Sequence, residues 1–311
     1  MATGTTGAVD PERAGTYVVA ITPFTVDGRF DEEAVRVHLR RMAAAGIGVY
    51  VGGGGSGEGY VLSGAENRRL LEISVEELKG RVPVRAMGVE PRTSAHMIEF
   101  VEMASELRLD AVQIYSLDPG HGHRPTQDEI YRYFDDVLRS NNMPTVLSTH
   151  QSVGYQVPVA MLSEFVDRFE HLIGINCSHQ DLGYLSAMID AVGGRVDIHV
   201  GGPHLGLTAL SLGANGYLSS EGNLAPRLCV GVIDAYRRDD ARRLVDWHGK
   251  LLRLSNALYR AGGIRATKGV LGALGLPGGS PRLPQLPIDS DRVPQLLALI
   301  ESLGIAEIEG W

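Results

Sequence analysis

Five of the ten histidines fall in loops that follow predicted strands, where an imidazole can accept or donate a proton near neutral pH. They are His121, His123, His150, His179 and His204. Imidazole also suits divalent cations, and Asp118, Glu58 and Glu221 are candidates to complete a metal site. A loop histidine is more often solvated or hydrogen-bonded to backbone. We therefore expect proton transfer by at least one histidine, with no bound metal and no cofactor.

Asn176 lies in a short β-branched run, residues 173–178, that enters a polar loop. This pattern is typical of a buried parallel strand that ends at an active-site mouth. An amide both donates and accepts hydrogen bonds, so Asn176 could orient a carbonyl without attacking it covalently. The alternative interpretation is a structural amide at the strand end.

Strand-like and helix-like segments alternate along the chain. The strand-like runs occupy residues 17–22, 48–51, 84–88, 111–116, 145–149, 174–177, 198–201 and 216–219. Between them, apolar residues recur three and four apart, for example over 32–45, 65–79, 94–107, 127–140 and 159–169. Eight such units predict an α/β protein, a (β/α)8 TIM barrel whose strand-following loops all open on the catalytic face.

The barrel accounts for most of the length. We predict a flexible amino-terminal tail over residues 1–14, the barrel over 15–238, and a carboxy-terminal helical region over 239–311. The last region contains a Gly/Pro-rich stretch at 272–287 and is expected to form a small helical appendage.

Composition excludes several partner classes. Hydrophobic residues make up 44% and charged residues 21% of the chain, as in an ordinary globular protein, and the net charge of −8 disfavours nucleic acid. No apolar run approaches the ~18 residues of a membrane span. Two cysteines, Cys177 and Cys229, are too few for a disulfide framework. We expect a cytoplasmic protein with a small-molecule substrate and no nucleic-acid or membrane partner.

Several motifs occur in an order that is similar to one family. They are 15–31 (GTYVVAITPFTVDGRFD), 51–66 (VGGGGSGEGYVLSGAE), 124–127 (RPTQ), 213–214 (GA), 223–226 (NLAP), and Lys268 followed by 282–284 (RLP). Together they resemble the dihydrodipicolinate synthase and N-acetylneuraminate lyase family over nearly the whole chain. The resemblance implies a TIM barrel and a lyase that makes or breaks a C–C or C–O bond next to a carbonyl.

The chain departs from the family where the chemistry takes place. The resemblance implies a lysine at position 176 that forms a Schiff base with pyruvate, and Asn176 cannot form that imine. It also implies a proton-relay tyrosine before Arg124, where residues 116–123 contain none, and a carboxylate-clamping arginine after the fifth strand, where residues 148–152 carry no fixed cation.

The predicted function is therefore a lyase that acts on a small carbonyl or 2-oxo-acid-like substrate without a Schiff base. The candidate catalytic residues are Asn176, His121, His123 and His150. The candidate substrate-binding residues are Gly55, Ser56, Gly57, Ser148 and Ser219, because glycine-rich loops expose backbone donors for an anion. Two alternatives remain open: a non-catalytic ligand-binding or regulatory barrel, and a metal-assisted aldolase or hydrolase that uses the histidines.

Three further predictions concern single features. Gly52, Gly54 and Gly57 satisfy G-x-G-x-x-G, but the lyase loop explains them better than dinucleotide binding does. Lys268 is expected to be structural and away from the barrel mouth. The resemblance implies a homo-oligomer, a dimer or tetramer, and we expect Arg92 near a subunit interface.

Overall fold

The computed structural model describes residues 11–311, and within them eight parallel strands close into one barrel in chain order. The strands are β1 (Gly15–Val19), β2 (Gly48–Val51), β3 (Val84–Met87), β4 (Ala111–Ile114), β5 (Thr145–Thr149), β6 (Leu172–Cys177), β7 (Asp197–Gly201) and β8 (Gly216–Leu218). The predicted TIM barrel is confirmed.

A helix follows each strand, and four more helices end the chain. The strand-following helices are α1 (Glu32–Ala45), α2 (Gly64–Leu78), α3 (Ser94–Glu106), α4 (Gln127–Arg139), α5 (Val159–Arg168), α6 (Leu182–Val192), α7 (Gly206–Leu212) and α8 (Pro226–Arg237). The carboxy-terminal helices are α9 (Ala241–Ala261), α10 (Ile264–Ala273), α11 (Arg292–Ser302) and α12 (Ile305–Glu309). The predicted helical appendage is thus present.

Side-chain caps fix where the strand-following loops give way to helices. Ser63 and Glu66 form a reciprocal capping box at the start of α2, and Thr126 and Glu129 form another at the start of α4. Each box satisfies backbone N–H groups that a helix start would leave without partners. The loops after β2 and β4 therefore end at positions that the sequence itself specifies.

Four strands end earlier than the sequence predicts: the third and the eighth by one residue, the fourth by two and the first by three. The first leaves the ladder after Val19, because the Ile21 N–H bonds to the Asn223 side chain at 2.9 Å and the Thr22 hydroxyl to the Gly57 carbonyl at 2.6 Å. The fourth ends at Ile114, which places Tyr115 and Ser116 in the following loop.

Backbone contacts divide the chain into two compact units. Of the described residues, the first unit contains 11–15 and 87–218, and the second contains 16–86 and 219–311. The predicted boundary at residue 238 stays a prediction. Residues 1–10 of the predicted tail lie outside the described residues, while Pro11–Arg13 form one 3-10 turn in which Arg13 pairs with Asp197 at 2.6 Å.

In the described part of the chain, no helix is both long and apolar enough to cross a membrane.

Candidate active site

Asn176 lies on β6 in register with polar residues on both neighbouring strands. It pairs with Ser148 on β5 and with His199 on β7. Residues paired in a parallel ladder project from the same face of the sheet, so the three side chains share one face. All three are at least 94% buried, as expected near a barrel core. This face carries polar groups where a core strand would usually carry aliphatic ones.

The Asn176 amide is held by Gln113, which was not among the predicted site residues. Its Nδ2 donates a hydrogen bond to Oε1 of Gln113 on β4, two strands away. Gln113 pairs with Val146, which precedes Ser148 by two residues, so Gln113 belongs to the same face. Side chains of alternate strands meet on the inner face of a barrel, and this contact therefore places Asn176 inside it.

His150 follows β5 directly and is fixed by its neighbours. Its backbone N–H donates to the Ser116 hydroxyl at 3.0 Å, and that hydroxyl donates to the Ser148 carbonyl at 2.8 Å. The imidazole packs against the Tyr115 ring with centroids 5.3 Å apart. Burial lowers the pKa of His150, and the nearby Glu90 carboxylate opposes that effect. His150 is therefore a half-buried imidazole attached to the end of a strand.

The imidazole is also linked to a carboxylate through a serine. His150 Nδ1 forms a short hydrogen bond with the Ser152 hydroxyl and lies 3.2 Å from the Ser152 backbone nitrogen. The Ser152 hydroxyl contacts Oε1 of Glu90, in the loop after β3, at 3.1 Å. Three loop residues that are distant in sequence thus form one chain of hydrogen bonds.

His179, in the loop after β6, is buried beside this group. Its ring packs edge-on against Tyr184, with centroids 5.4 Å apart, and its Nε2 has no hydrogen-bond partner within residues 11–311. Burial is the largest cause that lowers the pKa of His179, and the positive charge of His150 acts in the same direction. Burial raises the pKa of Cys177 to about 11, so this thiol is not a ready nucleophile.

His121 and His123 occupy an exposed loop between β4 and α4. Their rings stack on each other with centroids 6.3 Å apart, and His121 adopts a positive φ of 57°. Arg92, from the loop after β3, pairs with Asp118 in the same loop at 2.7 Å. The predicted catalytic role of the two histidines and the predicted interface role of Arg92 stay predictions.

Among residues 11–311, no three His, Cys, Asp or Glu side chains converge in a way that could hold a metal ion. The five loop histidines therefore do not form the common site that the metal-assisted alternative requires.

The glycine-rich loop lies in the second unit. Gly55 is exposed and Ser56 half-buried, so both can meet a ligand. Gly57 is buried, and a Cβ there would lie 2.6 Å from the Gly53 carbonyl oxygen, so only glycine fits. Close packing of the loop on itself therefore explains Gly57, and a positive φ of 83° explains Gly52. The interpretation that these glycines are not a dinucleotide motif stays a prediction.

The expectation that Lys268 lies away from the barrel mouth is wrong, because Lys268 contacts two of the strand-following loops. Its Nζ donates to the Thr22 carbonyl at 2.9 Å and the Ser280 carbonyl at 3.1 Å, and it forms an ion pair with Glu58. Thr22 follows β1 and Glu58 follows β2, so Lys268 reaches loops on the catalytic face. Burial lowers the pKa of Lys268 and raises that of Glu58, while their mutual attraction opposes both shifts. The predicted structural role agrees with these contacts, because the three N–H groups of the ammonium have three acceptors in the protein.

Ser219 is fully buried in the second unit. Its hydroxyl donates to Oε2 of Glu221 at 2.7 Å and contacts the Cys229 thiol at 3.5 Å. A hydroxyl has one hydrogen to donate, and here it is used in the hydrogen bond to the buried Glu221 carboxylate. The predicted substrate-binding role of Ser219 stays a prediction.

The sequence prediction missed five residues of the first unit: Gln113, His199, Tyr115 and the two loop residues Glu90 and Ser152. The first two lie within strands, where the sequence pattern predicts only core. Tyr115 was counted in the predicted strand 111–116, but β4 ends at Ile114. The strand register identifies the first two, and the ring contact with His150 identifies the third.

Comparison with known proteins agrees with this architecture. The model of the dihydrodipicolinate synthetase family matches residues 12–303. A 4-hydroxy-tetrahydrodipicolinate synthase of Pelobacter propionicus is 30% identical over 94% of this chain and 99% of its own length. A 4-hydroxy-tetrahydrodipicolinate synthase of Methanopyrus kandleri is 28% identical over 94% of this chain and 96% of its own length.

Solved structures share the fold at lower identity. The 4-hydroxy-tetrahydrodipicolinate synthase of Methylacidiphilum fumariolicum aligns with a TM-score of 0.84 at 24% identity, over 96% of this chain and 98% of that one. An Escherichia coli prophage protein, solved in complex with pyruvate, aligns with a TM-score of 0.85 at 23% identity, over 94% of this chain and 99% of that one. With a family match that covers almost all its length, the chain belongs to the dihydrodipicolinate synthetase family.

Proposed function

We propose that the chain is a lyase that acts on a small 2-oxo-acid-like compound without forming an imine. The curated relatives are named as 4-hydroxy-tetrahydrodipicolinate synthases, which are carbon–carbon lyases, and this supports a lyase. The observation that carries the finer proposal is the buried Asn176 amide on the inner face of β6, hydrogen-bonded to Gln113. An amide at this position can orient a carbonyl but offers no amine.

The proposed roles use residues of the first unit. Asn176 would orient the substrate carbonyl, and Ser148, its partner in register, would add a second polar group on the same face. His150 would take the proton from the carbon next to the carbonyl, leaving the electron pair as an enolate. In the bond-forming direction the enolate adds to an electrophile. In the cleavage direction the bond to that electrophile breaks, its electron pair forms the same enolate, and the protonated His150 returns a proton to the carbon.

The absence of an imine is tested with borohydride. One solved structure of the fold is described in complex with pyruvate, so pyruvate is the first probe. We expect no gain in mass when the protein is incubated with pyruvate and borohydride, because Asn176 has no amine and Lys268 is buried and fully bonded. The Pelobacter propionicus relative serves as a control for the trapping conditions. A reduced pyruvate adduct on any lysine would contradict the proposal.

The activity itself is tested by exchange of substrate protons. A panel of 2-oxo acids is incubated with the protein in deuterated water, and loss of the proton signal next to the carbonyl is followed by NMR. General-base catalysis typically contributes about 10²–10⁴-fold, so His150→Ala should slow exchange by that order. Tight binding of a panel member without exchange would instead favour the non-catalytic barrel.

A further inference from the structure

The Ser152 hydroxyl lies between two groups that both need its single hydrogen. Its oxygen contacts Oε1 of Glu90 at 3.1 Å and Nδ1 of His150 more closely. An ionised carboxylate can only accept a hydrogen bond, and a neutral imidazole nitrogen either donates or accepts. The protonation of Glu90 therefore determines which ring nitrogen of His150 carries the proton.

Two arrangements satisfy these contacts. If Glu90 is protonated, it donates to Ser152, Ser152 donates to Nδ1, and the imidazole carries its proton on Nε2. If Glu90 is ionised, Ser152 donates to the carboxylate, and Nδ1 must carry a proton that it donates to the serine oxygen. A neutral His150 then presents an unprotonated Nε2, which is the form that can act as a base.

We propose that Ser152 and Glu90 are positioning residues that hold His150 in the Nδ1-protonated tautomer, with Nε2 as the base for the reaction. The proposal rests on the proposed function for the role of His150, but the tautomer itself can be measured without a substrate. When Nε2 accepts a proton, the imidazolium keeps both N–H groups and the Glu90 carboxylate balances its charge through Ser152. No additional reactant is needed, because the proton moves only between the substrate carbon and Nε2.

The local backbone makes the role of the serine testable. The Ser152 N–H also points at Nδ1, at 3.2 Å. The contact with the hydroxyl is the shorter of the two, so in the native protein it decides whether Nδ1 is protonated. Without the hydroxyl, Nδ1 would face only the backbone donor, which requires an unprotonated Nδ1. Ser152→Ala should therefore switch the neutral imidazole to the Nε2-protonated tautomer, whereas Ser152→Thr keeps a hydroxyl and should keep the native tautomer.

The groups that face His150 come from three other loops. Glu90 follows β3, Tyr115 follows β4 and His179 follows β6. Glu90 raises the pKa of His150, so Glu90→Gln should lower the midpoint of its titration further below the ordinary value. Glu99→Gln, which removes an equal charge from an exposed position on α3, is the matched control and should leave the midpoint unchanged.

The experiment is ¹⁵N NMR of protein labelled at histidine, with the His150 signals assigned by their loss in His150→Gln. We expect the proton on Nδ1 in the native protein and in Ser152→Thr, and on Nε2 in Ser152→Ala. A native protein protonated on Nε2 would overturn the proposal, as would a Ser152→Ala variant that keeps the native tautomer. If Ser152→Ala fails to fold, the native spectrum still tests the proposed tautomer, and the Glu90→Gln titration still tests the effect of Glu90 on His150.

A second measurement separates this proposal from the proposed function. With any 2-oxo acid that exchanges, Ser152→Ala should slow the exchange at saturation at least tenfold and leave the half-saturating concentration unchanged. Loss of affinity with an unchanged rate would contradict the positioning role. If no panel member exchanges, the proposed function fails while the tautomer result still tests the hydrogen-bond chain.

Discussion

The Lys268–Glu58 ion pair gives the sharpest stability prediction, because each side chain exposes only 1% of its surface. Lys268→Met keeps the apolar stem and removes the ammonium. Glu58 then loses its buried counter-charge, and the Thr22 and Ser280 carbonyls lose a donor. Removing one partner of a buried pair costs about 3–5 kcal/mol. This is a large part of the ~5–15 kcal/mol by which domains are stable.

The assay is urea unfolding followed by far-ultraviolet circular dichroism, which yields the free energy of unfolding. Lys250→Met is the matched control, because Lys250 pairs with Asp246 at 3.1 Å on α9 and that carboxylate is 54% exposed. An exposed pair contributes about 0–1 kcal/mol, so the control should be nearly neutral. Equal losses in the two variants would refute the reasoning.

A double variant isolates the charge pair. In Glu58→Gln/Lys268→Met neither charge remains, so neither is left buried without a partner. Its cost should be smaller than the sum of the two single costs by about 1–3 kcal/mol. Additive costs would show that the stability comes from separate contacts of each side chain.

Three other predictions follow from the structure. Asn176→Lys should not restore pyruvate aldolase turnover, because catalytic groups that act as a unit are far from additive; robust turnover would contradict this. Burial lowers the pKa of His38 to about 4 from 6.5, so the unfolded chain binds the proton more readily. Stability should be complete above pH 6.5 and fall by about 3 kcal/mol as the pH drops to 4, and His38→Gln should flatten that decline in urea unfolding. Light scattering should give a homo-oligomer, whereas a mass near 33.5 kDa would indicate a monomer; an unchanged mass for Arg92→Ala would exclude only an essential role of that arginine.

The barrel was predictable because its signal repeats along the whole chain. Eight apolar runs separated by helical periodicity leave few other topologies, and the structure confirms all eight strands. Strand ends were harder to predict. Tyr115 continues the apolar run of β4, and nothing in its residue type indicates that the strand ends at Ile114.

The candidate site was predictable only in part. Asn176 was identified by its departure from the family pattern, and the structure buries it in register with Ser148, as a shared role would require. Gln113 and His199 look like interruptions of core strands until the strand register is known. The Glu90–Ser152 contact joins residues 62 apart in sequence, a separation over which no local pattern carries information.

The absence of an imine from the proposed chemistry limits which substrates suit it. A protonated imine withdraws electrons from the neighbouring carbon, whereas a neutral amide such as Asn176 supplies only a hydrogen bond. Removing one such donor from an oxyanion site typically costs about 3–4 kcal/mol, so one donor cannot replace a covalent electron sink. The substrate must then supply the missing acidity itself, for example with a second carbonyl next to the carbon that loses its proton. In the exchange panel, such compounds should therefore react faster than pyruvate, and the reverse order would argue against an imine-free enolate in this barrel.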